Sequence, residues 1–496
     1  MANDPKWRPR PEDYALLLRD QNPWQRGGRV PETLAPPVER PLASCLWRRL
    51  VRDEPRRFQV VLGPRRVGKT TVLYQTVGHL LARGVPAQRL WWFRMDHPLL
   101  LEIELGNLVR FVLEQSGASG EAPLYLFLDE LTYARSWDLW LKTFHDESWP
   151  LRIAATSSST EALRNRRLES GVGRWEEQYL APYSLSEALS LLGTPQDLDV
   201  QDTLDETLAA ALPGSVELSE VEPIRRLYLL VGGFPELLVD LAAGSPERLA
   251  DLQGALLNSQ RTLSGDAVER SVYKDIPQCF GVENPAVLER LLYVLAAQAT
   301  GVLSPQSICR DLGTLTQPTF DKYLGYLERA FLVFTLQNYS GSERGVQKRG
   351  RKLYFVDGAI RNAALQRGLA PLTDPGETGV LLENAAASHL HALARQTRVR
   401  AYHWRHRSDE VDLVYDHPDR PLAFEVATSR RHTRRGLQAF LERFPRFRNR
   451  VYLVARDAPV IAPARGRDGV GSLPLDLFLL ATGAQAQREL GRRIAA

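Results

Sequence analysis

The sequence predicts an α/β chain, with a parallel sheet and its crossover helices in the first part and a second α/β unit toward the C-terminus. Three observations carry this. The apolar run Phe58-Gln59-Val60-Val61-Leu62 leads through a glycine-bounded stretch into residues 72–81, whose apolar side chains recur at helical spacing. Strand and helix patterns then alternate to about residue 180. A second alternation, from Lys352 to Ala427, sets strand patterns on either side of an apolar helix around Glu383.

Composition bounds the rest. A chain of 496 residues exceeds one ordinary core, and about three domains are expected. Hydrophobic content of 44% and charged content of 25% exclude wholesale disorder. The net charge of +4 gives no overall basic field, so any nucleic-acid surface must be local. The arginine excess over lysine suits phosphate contact, and GC-rich coding or thermal adaptation accounts for it equally well. Cys45, Cys279 and Cys309 are scattered and odd in number, which argues against a disulfide framework and for a reducing cytoplasm. The N-terminus lacks a signal-peptide pattern, and no apolar run has the length of a membrane span. A cytoplasmic protein without a membrane partner is expected.

Residues 1–50 hold the amphipathic stretch from Tyr14 and a Pro/Arg-rich segment from Asn22 to Pro41, read as a short helix and an arm laid against the next domain. The core domain, 51–184, is organised on Gly63, Pro64, Arg65, Arg66, Val67, Gly68, Lys69, Thr70 and Thr71, which fit G-x-x-x-x-G-K-[ST]. Between a strand and a helix this pattern binds phosphate. The glycines let successive N–H groups point inward, and the helix N-terminus adds positive potential. All nine residues are expected to hold ATP, Lys69 reaching the β- and γ-phosphates and the Thr70 hydroxyl ligating Mg²⁺.

Arg89–Phe93 is the next strand pattern, and Leu105–Gln115 a helix. Leu124-Tyr125-Leu126-Phe127-Leu128 then runs into Asp129-Glu130. Asp129 is expected at the water shell of Mg²⁺ and Glu130 as the group that orients and deprotonates the attacking water; two solvated acids capping a strand are the alternative. A further strand, Leu151–Thr156, ends in Ser157-Ser158-Ser159, so Ser157 or Ser158 either sits beside the γ-phosphate or caps a helix. Arg164, Arg166, Arg167 and Arg174 follow. One of them either reaches a neighbouring subunit's γ-phosphate or all line a solvated face.

Six segments together resemble one family. They are the phosphate loop; Phe127–Leu131; Trp137 with Leu141-Lys142; Thr156–Ser159; Gly173-Arg174 before Ala181–Glu187; and Gly232-Gly233-Phe234-Pro235-Glu236. The chain, from about residue 20 to 455, is similar to AAA-superfamily ATPases of bacteria and archaea that carry a C-terminal DUF4143 domain. The resemblance implies a helical lid over 185–255, with Gly232–Glu236 as its turn, and it makes Arg174 the preferred trans-acting arginine. Arg225 or Arg226 touches the nucleotide from that lid or is surface charge. Ser157 stands where the family usually has glycine, which should not affect nucleotide binding.

Residues 256–345 read as a winged helix-turn-helix: helices from Val287 and after Ser304 and Thr316, then a strand from Phe331. It either presents Lys322 to DNA or is structural or protein-binding. The loop with Arg344, Lys348, Arg349, Arg351 and Lys352 is the stronger candidate for phosphate contact. Residues 346–455 read as a restriction-endonuclease-like α/β domain. Glu383, Asp412 and Glu425 fall where such nucleases hold a metal, and Ala427 stands where the catalytic lysine belongs, with Arg430 or Arg431 a doubtful substitute. A nuclease fold without strong nuclease activity is expected, followed by a Pro/Gly/Arg-rich and then helical tail, 456–496. The function expected is a Mg²⁺-dependent ATPase working as a homo-oligomeric, hexameric ring motor on DNA. A nucleotide-dependent regulatory switch is the alternative, and an ATP-dependent nuclease the third possibility.

Overall fold

The computed structural model describes residues 11–52, 56–158, 173–211, 218–243, 253–313, 315–341, 350–429, 431–456, 458 and 469–495. They form two compact units, one running up to Leu180 and the other from Ala181 to Arg492.

The first unit is built on five parallel strands: β1 (Phe58–Leu62), β2 (Leu90–Arg94), β3 (Leu124–Asp129), β4 (Leu151–Ser157) and β5 (Trp175–Tyr179), in the order β2-β3-β4-β1-β5. Every residue of β1 and β3 is buried, as a parallel sheet covered on both faces requires. Strand β5 was not expected. Its sequence, Trp-Glu-Glu-Gln-Tyr, is mostly polar, but it is an edge strand, and the buried Gln178 amide donates to the Gln59 side chain at 3.2 Å. The opposite edge, β2, is covered by the N-terminal arm. The Asn22 side chain accepts the Trp92 N–H at 2.6 Å and donates to the Trp92 carbonyl at 3.0 Å, while Trp24 Nε1 donates to the Leu90 carbonyl at 3.0 Å. These bonds occupy backbone groups that an open edge would leave unpaired.

The second unit begins with the helices Leu185–Leu191 and Leu204–Ala210, each opened by a capping box, Ser184 with Glu187 and Thr203 with Glu206. The helices Leu218–Val231 and Pro235–Ala242 follow, joined by Gly232 and Gly233. Gly232 has φ +65°, and a Cβ on Gly233 would lie 2.1 Å from the Tyr183 carbonyl oxygen, so this turn accepts only glycine without rearrangement. Further on, the helices Pro305–Leu312 and Gln317–Arg329 have the N-caps the sequence predicts: Ser304 accepts the Ser307 N–H and Thr316 the Thr319 N–H.

The sheet of this unit has seven strands: β6 (Val333–Asn338), β7 (Arg351–Phe355), β8 (Ala401–His406), β9 (Asp409–Tyr415), β10 (Leu422–Ala427), β11 (Val451–Ala455) and β12 (Val470–Pro474). Their order is β12-β11-β10-β9-β8-β6-β7. The strands β8, β9 and β10 form an antiparallel meander, and β10, β11 and β12 run parallel. The β6–β8 junction is a seam, paired only at Gln337–Tyr402 and Asn338–His403. The expected domain boundary at 345/346 falls between β6 and β7, which pair side by side along Val333–Gln337 and Arg351–Phe355. The tail supplies the helix Leu475–Ala495, as its pattern predicts, and the edge strand β12, which the sequence does not signal. The helix Pro375–Thr397 packs on β7, β9 and β10.

Candidate nucleotide site and a second acid cluster

Strand β4 lies between β3 and β1, so the carboxyl ends of these three strands deliver the expected site residues side by side. At the end of β1 the chain turns through Gly63, where a Cβ would lie 2.2 Å from the Leu180 carbonyl oxygen. Arg66 and Gly68 take φ +64° and +89°, and the helix Lys69–Ala82 starts directly after Gly68. Lys69 is 6% exposed, and its ammonium donates to the carbonyls of Gly63 (3.0 Å) and Pro64 (2.7 Å), inside its own loop. Arg40 braces the loop from behind by donating to the Val67 carbonyl at 3.1 Å.

The Thr70 hydroxyl lies 2.9 and 3.1 Å from the two Asp129 carboxylate oxygens. Thr156 joins the two acids: its hydroxyl donates to Asp129 at 2.7 Å and accepts the Glu130 N–H at 2.8 Å. Ser158 donates to the Glu130 carboxylate at 3.1 Å, while Ser157, fully buried, ends β4. Glu130 has φ +54°, which turns it out of line with β3. Burial, and secondarily the Glu130 charge, push the Asp129 carboxyl up to about 6, against hydrogen bonds from Thr156 and Thr70. A hydroxyl and a buried, under-compensated carboxylate facing one another are donors that suit a hard divalent cation. Lys69, Thr70, Asp129, Glu130 and Ser158 are thus brought together. Thr156 is a site residue that the sequence does not single out, since a nearly all-buried strand does not reveal which of its last hydroxyls turns toward the acids.

Arg174 stands apart. It precedes β5, at the amino end of the parallel sheet, whereas the phosphate loop follows the carboxyl end. Its guanidinium binds Asp146 at 2.7 and 2.9 Å and holds that carboxyl down at about 2. Arg164, Arg166, Arg167 and Ser159 lie outside the described residues. Arg225 is neither surface charge nor free to reach a ligand: it is 5% exposed and ion-paired to Asp476 at 2.5 Å within the second unit. Arg226 is exposed.

The second cluster corrects the expected place of Lys352. Its side chain is 3% exposed and cannot meet a DNA phosphate. Its ammonium lies 2.8 Å from Glu383, 2.6 Å from Glu410 and 2.7 Å from Asp412. A lysine from β7 thus stands among these acids, while Ala427 on β10 brings no charge. The second Asp412 oxygen accepts the Val426 N–H at 2.8 Å, and the Tyr354 hydroxyl donates to Glu383 at 2.8 Å. Glu425 binds His432 at 3.2 Å. Burial, then the Asp412 charge, push the Glu383 carboxyl up to about 8; burial pushes Glu425 up to about 7. Burial opposes the Lys352 charge, yet Asp412, Tyr354, Glu383 and Glu410 hold it well above the usual lysine range. Of the other candidate DNA contacts, Arg351 is paired with Asp321 and Lys322 is exposed beside the Tyr326 ring. Arg344, Lys348, Arg349 and Arg430 lie outside the described residues; Arg431 is exposed. Glu410, Tyr354 and His432 were missed. A signal for the first two existed, because a lysine two residues from a tyrosine in an apolar strand shares its face and needs a buried partner.

Residues 55–189 match the AAA domain family, residues 223–370 a domain of unknown function (DUF8612) and residues 378–463 another (DUF4143). The first unit thus carries an AAA domain of the P-loop type, and the second carries the DUF4143 region. An uncharacterized protein of Methanocaldococcus jannaschii is 26% identical over 355 residues, covering 70% of each chain. An uncharacterized protein of Haemophilus influenzae is 22% identical over 330 residues, 66% of this chain and 74% of that one. Among solved structures, the Walker-type ATPase PABY2304 of Pyrococcus abyssi is 15% identical, spanning 73% of this chain and 99% of that one with a TM-score of 0.35. No helix among the described residues is long and apolar enough to cross a membrane.

Proposed function

We propose that this chain, with an AAA domain ahead of a DUF4143 domain, binds ATP with Mg²⁺ at residues 63–71 and hydrolyses it as an oligomeric ring motor that remodels or translocates on DNA. The observation that carries the hydrolytic part is the continuous network from Thr70 through Asp129 and Thr156 to Glu130 and Ser158. In this reading Lys69 leaves the Gly63 and Pro64 carbonyls for the β- and γ-phosphates. Thr70 and Asp129 would hold Mg²⁺, which would neutralise phosphate charge. Glu130, kept in place by Thr156 and Ser158, takes the proton of the attacking water.

The ring is supported by Arg174, whose position at the far end of its own sheet suits a role on a neighbouring copy's γ-phosphate once its pair with Asp146 opens. DNA binding is supported by the exposed Lys322 on the capped helix Gln317–Arg329. A second reading, a nucleotide-controlled regulatory switch with slow turnover, is favoured by the engagement of Lys352 and Arg351 inside the chain, which leaves fewer cations for phosphate contact.

Steady-state ATPase assays with no DNA, single strand, duplex and a four-way junction, at two salt concentrations, separate the two. A motor is stimulated by DNA, less so as salt rises, and assembles with ATP. Arg174→Ala should then abolish turnover while nucleotide still binds. A slow rate indifferent to every nucleic acid, from a monomer unaffected by Arg174→Ala, would reject the motor and leave the switch.

A further inference from the structure

We infer that the cluster of Glu383, Glu410 and Asp412 is a closed site filled by the chain's own ammonium, Lys352, and that it takes no divalent cation. An ammonium has three N–H donors, and three carboxylate oxygens surround this one at 2.6–2.8 Å, so its hydrogen-bonding capacity is met. The carboxylates are equally committed. Asp412 gives one oxygen to Lys352 and the other to the Val426 N–H, and the Glu383 oxygen that meets Lys352 also accepts from Tyr354. A metal would draw on the same oxygens at closer range, about 2.0–2.6 Å, around the point where the nitrogen sits. Displacing Lys352 would have to break all three of these ion pairs at a side chain that is 3% exposed. Glu425 Oε2 is buried without a hydrogen-bond partner, but Glu425 itself is engaged by His432 and makes no contact with Lys352.

The site has a mechanical reason to be closed. Strands β7 and β9 are separated in the sheet by β6 and β8, and the β6–β8 seam has only two residue pairs. Lys352 reaches from β7 directly to Asp412 on β9 and to Glu383 on the helix Pro375–Thr397. One residue on, Asn384 accepts the Phe355 N–H at 2.8 Å and donates to the Phe355 carbonyl at 3.0 Å, fixing the same helix to the same strand. The ammonium thus adds a cross-link over a short seam, which is otherwise held by the Tyr339 N–H to the His403 carbonyl at 2.7 Å and by the Asn338 side chain on Arg405. The lysine holds the three acids together as a clamp.

The test is Mn²⁺ binding to the full chain without nucleotide, followed by the loss of the free Mn²⁺ paramagnetic signal. Wild type and Asp412→Asn should bind the same amount, because neither uses the cluster; Glu425→Gln serves in the same way should Asp412→Asn fail to fold. Mn²⁺ bound by wild type and lost in either variant would overturn the inference. The clamp is tested separately by Lys352→Met, which should lower the thermal midpoint of the second unit by roughly 6–12 °C, or prevent its folding. A variant as stable as wild type would also overturn it.

Discussion

Replacing Asp357 by alanine should destabilise the second unit, by an amount that depends on pH in a definite direction. Asp357 is 4% exposed and holds two backbone donors, the Gly233 N–H and the Ala359 N–H, each at 2.8 Å. The second contact caps the helix Gly358–Leu365. Loss of the cap costs about 1 kcal/mol. Stranding the buried Gly233 N–H costs about 1–3 kcal/mol more. Burial pushes the Asp357 carboxyl up to about 6 from its ordinary 3.8, against the two N–H bonds. The native chain therefore binds this proton more tightly than the unfolded chain. The stabilisation from Asp357 is complete below the unfolded value and is lost as pH rises through about 6. Between pH 5 and 7.5 the loss is on the order of 1 kcal/mol. Asp357→Ala should accordingly cost more at pH 5 than at pH 7.5, and so should Asp357→Asn, whose amide does not titrate. Urea midpoints followed by tryptophan fluorescence at pH 5, 6 and 7.5 measure the difference. A gap between wild type and variants that is flat with pH, or widens as pH rises, would refute the reasoning.

Three further outcomes concern the nucleotide site. Lys69→Ala should weaken binding of a fluorescent ATP analogue by about 10- to 100-fold, the worth of a charge-assisted contact; undiminished affinity would place the nucleotide elsewhere. Glu130→Gln should still bind nucleotide while turnover falls by about 10²- to 10⁴-fold, and a near-normal rate would remove Glu130 from the chemistry. Thr156→Val keeps the shape of the side chain but removes the hydroxyl that joins Asp129 to the Glu130 N–H. Its turnover should drop, and its thermal midpoint should fall by a few degrees because the Glu130 N–H loses its partner; a rate equal to wild type would show that Ser158 alone positions Glu130.

The first unit was legible because its signals are local. A buried parallel strand, a glycine turn and a helix are written consecutively in residues 58–81, and a strand ending in paired acids needs no distant partner to be read. Strand β5 was not legible, since its polar side chains are satisfied by pairing with β1, which sequence order does not disclose. Nor was the destination of Lys352. In the sequence it closes a run of basic residues and resembles the end of a phosphate-binding loop; only the folding of β7 across the β6–β8 seam brings it to acids far along the chain. The capped helices around Ser304 and Thr316 were found from hydroxyl-then-proline spacing, which is again local chemistry.

The described residues between Leu185 and Ala242 are fastened at several points to the rest of the second unit. The Leu185 N–H donates to His389 at 2.9 Å, Asn362 donates to the Leu229 carbonyl at 3.1 Å, and Asp205 pairs with Arg420 and Arg450 at 3.4 and 3.1 Å. Thr207 donates to Gln485 at 2.8 Å, and Arg225 is locked to Asp476. Such a segment cannot flap on its own. A displacement of it strains bonds to the helix Pro375–Thr397, to the tail helix and to the sheet together, so its movement is shared with them.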